Sequence, residues 1–172
     1  MNTHSSRRLA VTTLFGVIAF LSKAMLPTPI DKAFIVVQVL TFALASLLID
    51  KWGATYASTI NGALLSIIRA RYVPFTLMFS ITYGLLIDIF IHTFNVKTNS
   101  QVKTIRLTAA LTLSTIIVGL ISMCTAVIIG LMPMIPTLYL IIFITGTING
   151  IAAGYLTSLT WNKYLTHYLK EN

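Results

Sequence analysis

Long runs of apolar residues, each separated from the next by a few polar residues or prolines, dominate the pattern of this chain. A membrane-spanning helix needs about 20 mostly apolar residues, because each residue advances the helix by about 1.5 Å. Six segments approach or meet this length, and they lie at 9–26, 33–49, 54–68, 72–91, 107–132 and 137–159. We therefore predict a bundle of six transmembrane helices. If the short third segment only re-enters the membrane, the number of spans is five.

Prolines and short polar clusters mark the ends of these segments. Proline lacks a backbone N–H and restricts the residue before it, so Pro27 and Pro133 are expected where helices end. The polar group 50–53 separates the second segment from the third, and 95–106 is the one long polar loop. Because spans and short connections use up the chain, we predict a single all-α transmembrane domain over 1–172.

Composition supports an integral membrane protein and excludes several other classes. Of the 172 residues, 56% are hydrophobic and 9% are charged, whereas about a quarter of the residues in soluble domains are charged. A chain with so much apolar surface and so little charge does not match an intrinsically disordered protein. Cys124 is the only cysteine, which excludes a disulfide-rich secreted scaffold.

The positions of Lys and Arg predict the orientation. With six spans, both termini lie on one side of the membrane. That side gathers Arg7, Arg8, Lys51, Lys97, Lys103, Arg106, Lys163 and Lys170. The other side gathers Lys23, Lys32, Arg69 and Arg71. Because basic residues concentrate on the cytoplasmic side, we predict cytoplasmic termini and a multi-pass protein of the cell membrane. The net charge of +8 reflects this bias. It does not indicate nucleic-acid binding, because the sequence predicts no basic face with interleaved aromatic residues.

Small residues recur every four positions and predict faces of close helix packing, since helices in lipid approach each other where side chains are small. The clearest sets are Ala54, Ser58, Gly62 and Ser66 in the third segment, and Gly146, Gly150, Gly154 and Ser158 in the sixth. Each face either packs within the bundle or slides against a partner protein. In the first segment, Thr12, Gly16 and Ala19 form a similar candidate surface for another membrane subunit.

Polar side chains inside a bilayer are costly and are often functional. Those in the outer half of the predicted spans suggest a shallow pocket that opens to the outside. Its candidate substrate-binding residues are Lys23, Gln38, Asn61, Arg69, Tyr83, Tyr139 and Asn149. The alternative to substrate binding for each basic residue is to anchor its helix end at the lipid headgroups. The alternative for each amide is a hydrogen bond to a neighbouring helix.

Asp88 is the one acidic residue deep in a predicted span, near the inner end of the fourth segment. It either caps a helix or pairs with the basic residues of the following loop. A proton relay would need a second acid or a histidine in the membrane, and the one candidate, His92, lies at the interface. Motifs for ATP phosphates, for zinc and for a serine nucleophile are missing. We therefore predict that the chain is not an enzyme and that it binds no cofactor or metal.

The chain resembles the substrate-binding S component of energy-coupling factor (ECF) transporters. The resemblance rests on the polar break 50–53 (Asp-Lys-Trp-Gly), the small-residue helix 54–63 and the motif 83–88 (Tyr-Gly-Leu-Leu-Ile-Asp) before a cytoplasmic loop. It implies capture of a vitamin or vitamin precursor beneath the outer loops 27–32, 69–74 and 133–137. The basic residues Lys23, Lys32, Arg69 and Arg71 around the mouth would suit an anionic or electron-rich ligand. The tyrosines equally suit a heterocycle, because aromatic rings stack on one another, and we favour a thiamine-type pyrimidine.

The same resemblance implies partner proteins. A transmembrane coupling subunit would dock on the first helix, where the family typically carries an Ala-x-x-x-Ala face and this chain has Thr12, Gly16 and Ala19. Two separate ATPase subunits would bind the ATP. The whole S component would then tip in the bilayer and deliver the substrate inward.

A second family offers an alternative. The stretch 84–88 (Gly-Leu-Leu-Ile-Asp) also resembles a motif of MreD, a small membrane scaffold of the bacterial cell-shape machinery. Such a scaffold has no enzymatic activity and needs helix faces but no substrate pocket.

Overall fold

In a computed structural model, which describes residues 3–24, 34–49, 51–68, 73–98, 101–131 and 133–165, the chain folds into six α-helices. They are α1 (Thr3–Ala24), α2 (Ile35–Leu48), α3 (Gly53–Ile68), α4 (Val73–Thr93), α5 (Thr104–Ile128) and α6 (Pro136–Thr160). A π-helical turn, Trp161–Leu165, continues α6. The all-α prediction is confirmed, and each helix overlaps one of the predicted segments.

Three of these helices are long and apolar enough to cross a membrane: Pro74–Thr93, Thr104–Ile128 and Pro136–Leu165. The helix α2 is also apolar, but its 14 residues reach only about 21 Å. With 16 residues, α3 is likewise short. The structure therefore supports a membrane protein with three candidate spans, while the number of six spans and the side of the termini stay predictions.

The helix α2 lies at the centre of the bundle. It packs against α1, α3, α4, α5 and α6, and its residues from Thr41 to Leu48 are all buried. Most residues of α2 are apolar, which suits such a position, because no side of the helix needs to face water. The other helices lie side by side along it in the order α1, α3, α4, α5, α6, because each packs on the next in this order.

Close packing of α5 on α6 uses the small-residue face of α6. A Cβ at Gly150 or Gly154 would collide with the backbone of Thr112 or Thr108 on α5. At the end of this contact, the hydroxyls of Thr104 and Ser158 lie 2.7 Å apart. Of the two interpretations of this face, packing within the chain is the one that the structure bears out.

A short antiparallel hairpin, β1 (Lys97–Thr98) and β2 (Gln101–Val102), replaces the polar loop that the sequence predicts between α4 and α5. The apolar residues Val96 and Val102 are buried and belong to the same core cluster as Trp161. The side chain of Asn162 clamps the hairpin, because it accepts from the Val102 N–H at 2.9 Å and donates to the Val102 carbonyl at 3.0 Å. In the sequence, Val96 and Val102 were the only sign that part of this mostly polar loop packs against the core.

Candidate functional site

A buried polar cluster joins α3 to α4 midway along the helices. Asn61 is fully buried, and its Nδ2 donates to the hydroxyl of Ser80 at 2.9 Å. That hydroxyl donates in turn to the carbonyl of Ser58 at 2.6 Å. Gly62 permits this approach, because a Cβ there would lie 2.8 Å from the Cβ of Ser80. In the described ranges, Oδ1 of Asn61 has no hydrogen-bond partner.

A second buried polar contact joins α4 to α5. The hydroxyls of Tyr83 and Thr115 lie 2.8 Å apart, and Thr115 donates its proton to the carbonyl of Leu111 at 2.7 Å. Tyr83 is therefore the donor in the hydroxyl pair, since Thr115 has only one proton to give. The ring of Tyr83 also meets Phe42 of α2 edge to face, with centroids 6.0 Å apart. Tyr83 thus connects three helices, and its oxygen retains acceptor capacity.

The two remaining amides predicted for the site also lie inside the bundle. Gln38, near the start of α2, is 5% exposed, and Asn149, in the middle of α6, is 6% exposed. The helices α2 and α6 pack together. All three predicted amides are therefore buried in the interior, as is Tyr83.

The other predicted site residues lie apart from this group. Lys23 is partly exposed in the last turn of α1, and Tyr139 is partly exposed in the first turn of α6. Arg69 falls outside the described residues, as do the loop residues 27–32 and 69–72. The residues 133–137, where described, are exposed.

Two surface grooves of the described chain lie away from these residues. They are lined by residues at the end of α4, in the turn after it, and on α5 and α6, and none of these is a predicted site residue. The interior amides are instead distributed over α2, α3 and α6. The described residues therefore supply inward-facing polar groups that line neither groove.

The predicted docking face of α1 is covered within the chain. Thr12 and Ala19 are fully buried, and a Cβ at Gly16 would lie 2.7 Å from the carbonyl oxygen of Ala57 on α3. These three residues are therefore buried within the chain, with Gly16 against α3, and a coupling subunit that docks on this face would first have to displace that packing. Small residues at regular spacing mark close contact, but they do not identify the helix that makes it. The outward side of α1 exposes Leu9, Leu14, Ile18 and Leu21.

Asp88 caps the start of α3. Its carboxylate accepts from the N–H groups of Ala54 at 3.1 Å and Thr55 at 2.8 Å, and from the Thr55 hydroxyl at 2.7 Å. The first N–H groups of a helix have no partner within the helix, and a carboxylate there also faces the positive end of the helix dipole. Of the two roles that the sequence left open for Asp88, the structure supports capping. That α3 is the capped helix could not be predicted from the sequence, because Asp88 lies 33 residues from Thr55.

Comparisons with known proteins add no relative: no protein-family model, no curated protein and no solved structure matches this chain.

Proposed function

We propose that this chain is the substrate-capturing membrane subunit of an ATP-driven importer of the ECF type, which takes up a water-soluble vitamin or vitamin precursor. The observation that carries the proposal is Asn61, a fully buried amide whose Oδ1 has no partner in the described part of the chain. Leaving a buried acceptor unpaired costs about 1–3 kcal/mol. A ligand N–H that bonds to this oxygen would recover that cost.

The other interior polar groups support a binding role. Gln38, Tyr83 and Asn149 come from α2, α4 and α6 and are buried, so their side chains face protein and not lipid. A small polar molecule that enters from the end where α1 finishes would meet these groups after passing Lys23 and Tyr139.

The chemistry of the interior favours a ring that carries an amino group. The free oxygen of Asn61 is an acceptor, and the aromatic pair Tyr83 and Phe42 offers faces and edges against which a heterocycle packs. A thiamine-type aminopyrimidine has both features. We therefore propose this class of ligand as the first to test.

Partner subunits would supply the energy, since this chain carries no motif for ATP phosphates. The transmembrane coupling subunit would dock on an outward face, because Thr12, Gly16 and Ala19 are buried within the chain. The exposed apolar side of α1, with Leu14 and Leu21, is the candidate surface. Two ATPase subunits would act through that coupling subunit.

Identification of a co-purified small molecule tests this function. The protein is purified in mild detergent and denatured, and the released molecules are identified by mass spectrometry. A single vitamin-like compound in about equimolar amount would support the importer. Protein that never carries a ligand, and that shows no heat of binding with thiamine or its pyrimidine precursor, would overturn the vitamin assignment.

A second function, a non-enzymatic membrane scaffold like MreD, is favoured by a different observation. The polar groups of Asn61, Ser80 and Ser58 bond to one another across α3 and α4, as they would in a bundle without a ligand. A scaffold acts through its outer helix faces alone. Cross-linking in cells separates the two functions, because a scaffold would be captured with cell-wall synthesis proteins and an importer with ATPases.

A further inference from the structure

The three candidate spans α4, α5 and α6 carry two neighbouring surface grooves. The first has a volume of about 460 Å³ and is lined by Thr93, Phe94, Asn95, Ile105, Arg106 and Ala109. The second has a volume of about 550 Å³ and is lined by Thr104, Ile105, Thr108, Ala109, Thr112, Leu113 and Ile151. Both lie at the end of the bundle where the hairpin joins α4 to α5.

A ridge on α5 separates these two grooves. Ile105 and Ala109 line both of them, and they lie one turn apart on the same face of the helix. Ile105 is 85% exposed, so the ridge stands clear of the surrounding surface. The second groove runs along α5 from Thr104 to Thr112, which is about 12 Å of helix. Its walls are mostly apolar, and its length is that of a substantial part of an acyl chain.

Arg106 places a positive charge in the lining of the first groove. The exposed guanidinium of Arg106 uses Nη1 to donate to the carbonyls of Phe94 at 3.3 Å and Asn95 at 3.4 Å. These bonds fix its position and leave its other N–H donors for a ligand. The neighbouring Lys103 is exposed as well.

No acid in the described ranges neutralises this charge. Asp88 is the one acidic residue that those ranges contain, and its carboxylate is engaged by Ala54 and Thr55. The amino-terminal end of α5 therefore combines net positive charge with two mostly apolar grooves. Such a combination suits a molecule that has an anionic head and apolar tails.

We propose that this surface is a binding site for one anionic phospholipid. The phosphate of the headgroup bonds to Arg106, with Lys103 beside it, and the two acyl chains lie on either side of the ridge of Ile105 and Ala109. A free phosphate ion would meet the same cation but would gain nothing from the apolar walls, so the pair of grooves favours the lipid. The proposal depends on α4, α5 and α6 as membrane helices and not on the importer function.

Spin-labelled lipids test the proposal. The full chain is reconstituted into vesicles of phosphatidylcholine with a small fraction of spin-labelled phosphatidylglycerol or spin-labelled phosphatidylcholine. Electron paramagnetic resonance then gives the fraction of each lipid that is immobilised on the protein. We expect the wild-type protein to prefer phosphatidylglycerol, and R106Q to lower this preference about fivefold, since one basic residue near a membrane surface contributes about 1 kcal/mol.

Arg8→Gln is the matched control, because Arg8 is an exposed basic residue on α1 that lines neither groove. We expect R8Q to keep the preference. Equal small losses in R8Q and R106Q would overturn the site, since they indicate only diffuse attraction. Ile105→Ala keeps the charge but removes the ridge, and we expect it to weaken the immobilisation of phosphatidylglycerol. If 50 mM phosphate abolished the preference in wild-type protein, the site would bind a soluble anion and the lipid assignment would be wrong.

Discussion

Thr55 and Asp88 are joined by two hydrogen bonds, although they lie on different helices. The carboxylate of Asp88 accepts from the Thr55 N–H at 2.8 Å and from the Thr55 hydroxyl at 2.7 Å. The pair ties the first turn of α3 to the last turns of α4. It also satisfies helix-start N–H groups that otherwise have no partner.

Removal of the Asp88 carboxylate should destabilise the bundle. We expect Asp88→Ala to lower the free energy of unfolding by about 1–2 kcal/mol, which is the usual cost of losing a helix cap. The midpoint of unfolding in a titration with sodium dodecyl sulfate measures the change. Asp88→Asn keeps one acceptor oxygen and should lose less. Equal stability of wild type and D88A would contradict the capping role.

Enlargement of the glycines on α6 should force α5 and α6 apart. At Gly154, even the Cβ of alanine would lie 2.5 Å from the Cα of Thr108. We expect Gly154→Ala to cost about 1–3 kcal/mol, as overpacking does. Ile148→Ala is the control on the same helix, because Ile148 is 62% exposed. The same detergent titration compares them, and an undisturbed midpoint in G154A would refute the close contact.

The hydroxyl pair of Tyr83 and Thr115 should behave as a coupled unit. We expect Tyr83→Phe and Thr115→Val each to destabilise the fold by about 1 kcal/mol, because each removes a buried hydrogen bond. The double variant should lose less than the sum, since the bond between the two hydroxyls can be lost only once. Strict additivity in a double-mutant cycle would mean that the hydroxyls do not interact.

The buried amides should matter for ligand affinity if the chain captures a substrate. We expect Asn61→Leu and Asn149→Leu to weaken binding of the co-purified molecule at least about tenfold, because a buried polar partner is lost. Arg69→Ala should weaken it as well. Thr147→Val is the control, since the Thr147 hydroxyl only donates to the Phe143 carbonyl of its own helix. Isothermal titration calorimetry gives the dissociation constants, and equal constants in all variants would remove these residues from the site.

Labelling of single cysteines in intact cells should establish the orientation. In a Cys124→Ser background, we expect Ser6→Cys to resist a membrane-impermeant maleimide, because the amino terminus is predicted in the cytoplasm. Thr137→Cys, in the exposed first turn of α6, should react. The reverse pattern would overturn the predicted orientation.

The apolar pattern of the sequence predicted every helix, because burial and lipid both demand long apolar runs. It did not predict that α2, with its 14 residues, would be enclosed by the others, since an apolar helix looks the same beside lipid and beside protein. The hairpin was missed because its fixed position depends on Asn162, which lies 60 residues from Val102. Such a pairing has no local signature.

For the candidate site, four of the seven predicted residues are buried, namely Gln38, Asn61, Tyr83 and Asn149, but the sequence did not predict what they meet. The bonds of Asn61 to Ser80 and of Tyr83 to Thr115 depend on how the helices are rotated. The small residues around Gly16 marked a contact, and only the fold could identify α3 as its partner. Periodicity predicts a face, whereas the neighbour of that face depends on the whole bundle.

The central place of α2 has a consequence for biosynthesis. Of the helices that pack on α2, α1 precedes it in the chain, whereas α3, α4, α5 and α6 are synthesised after it. Until these four helices arrive, Gln38, Thr41 and Ser46 lack most of the protein that buries them in the folded bundle, and we expect the insertion machinery to shelter them. A chain that stops after α2 therefore displays unshielded polar groups, which makes it a natural target for membrane proteases.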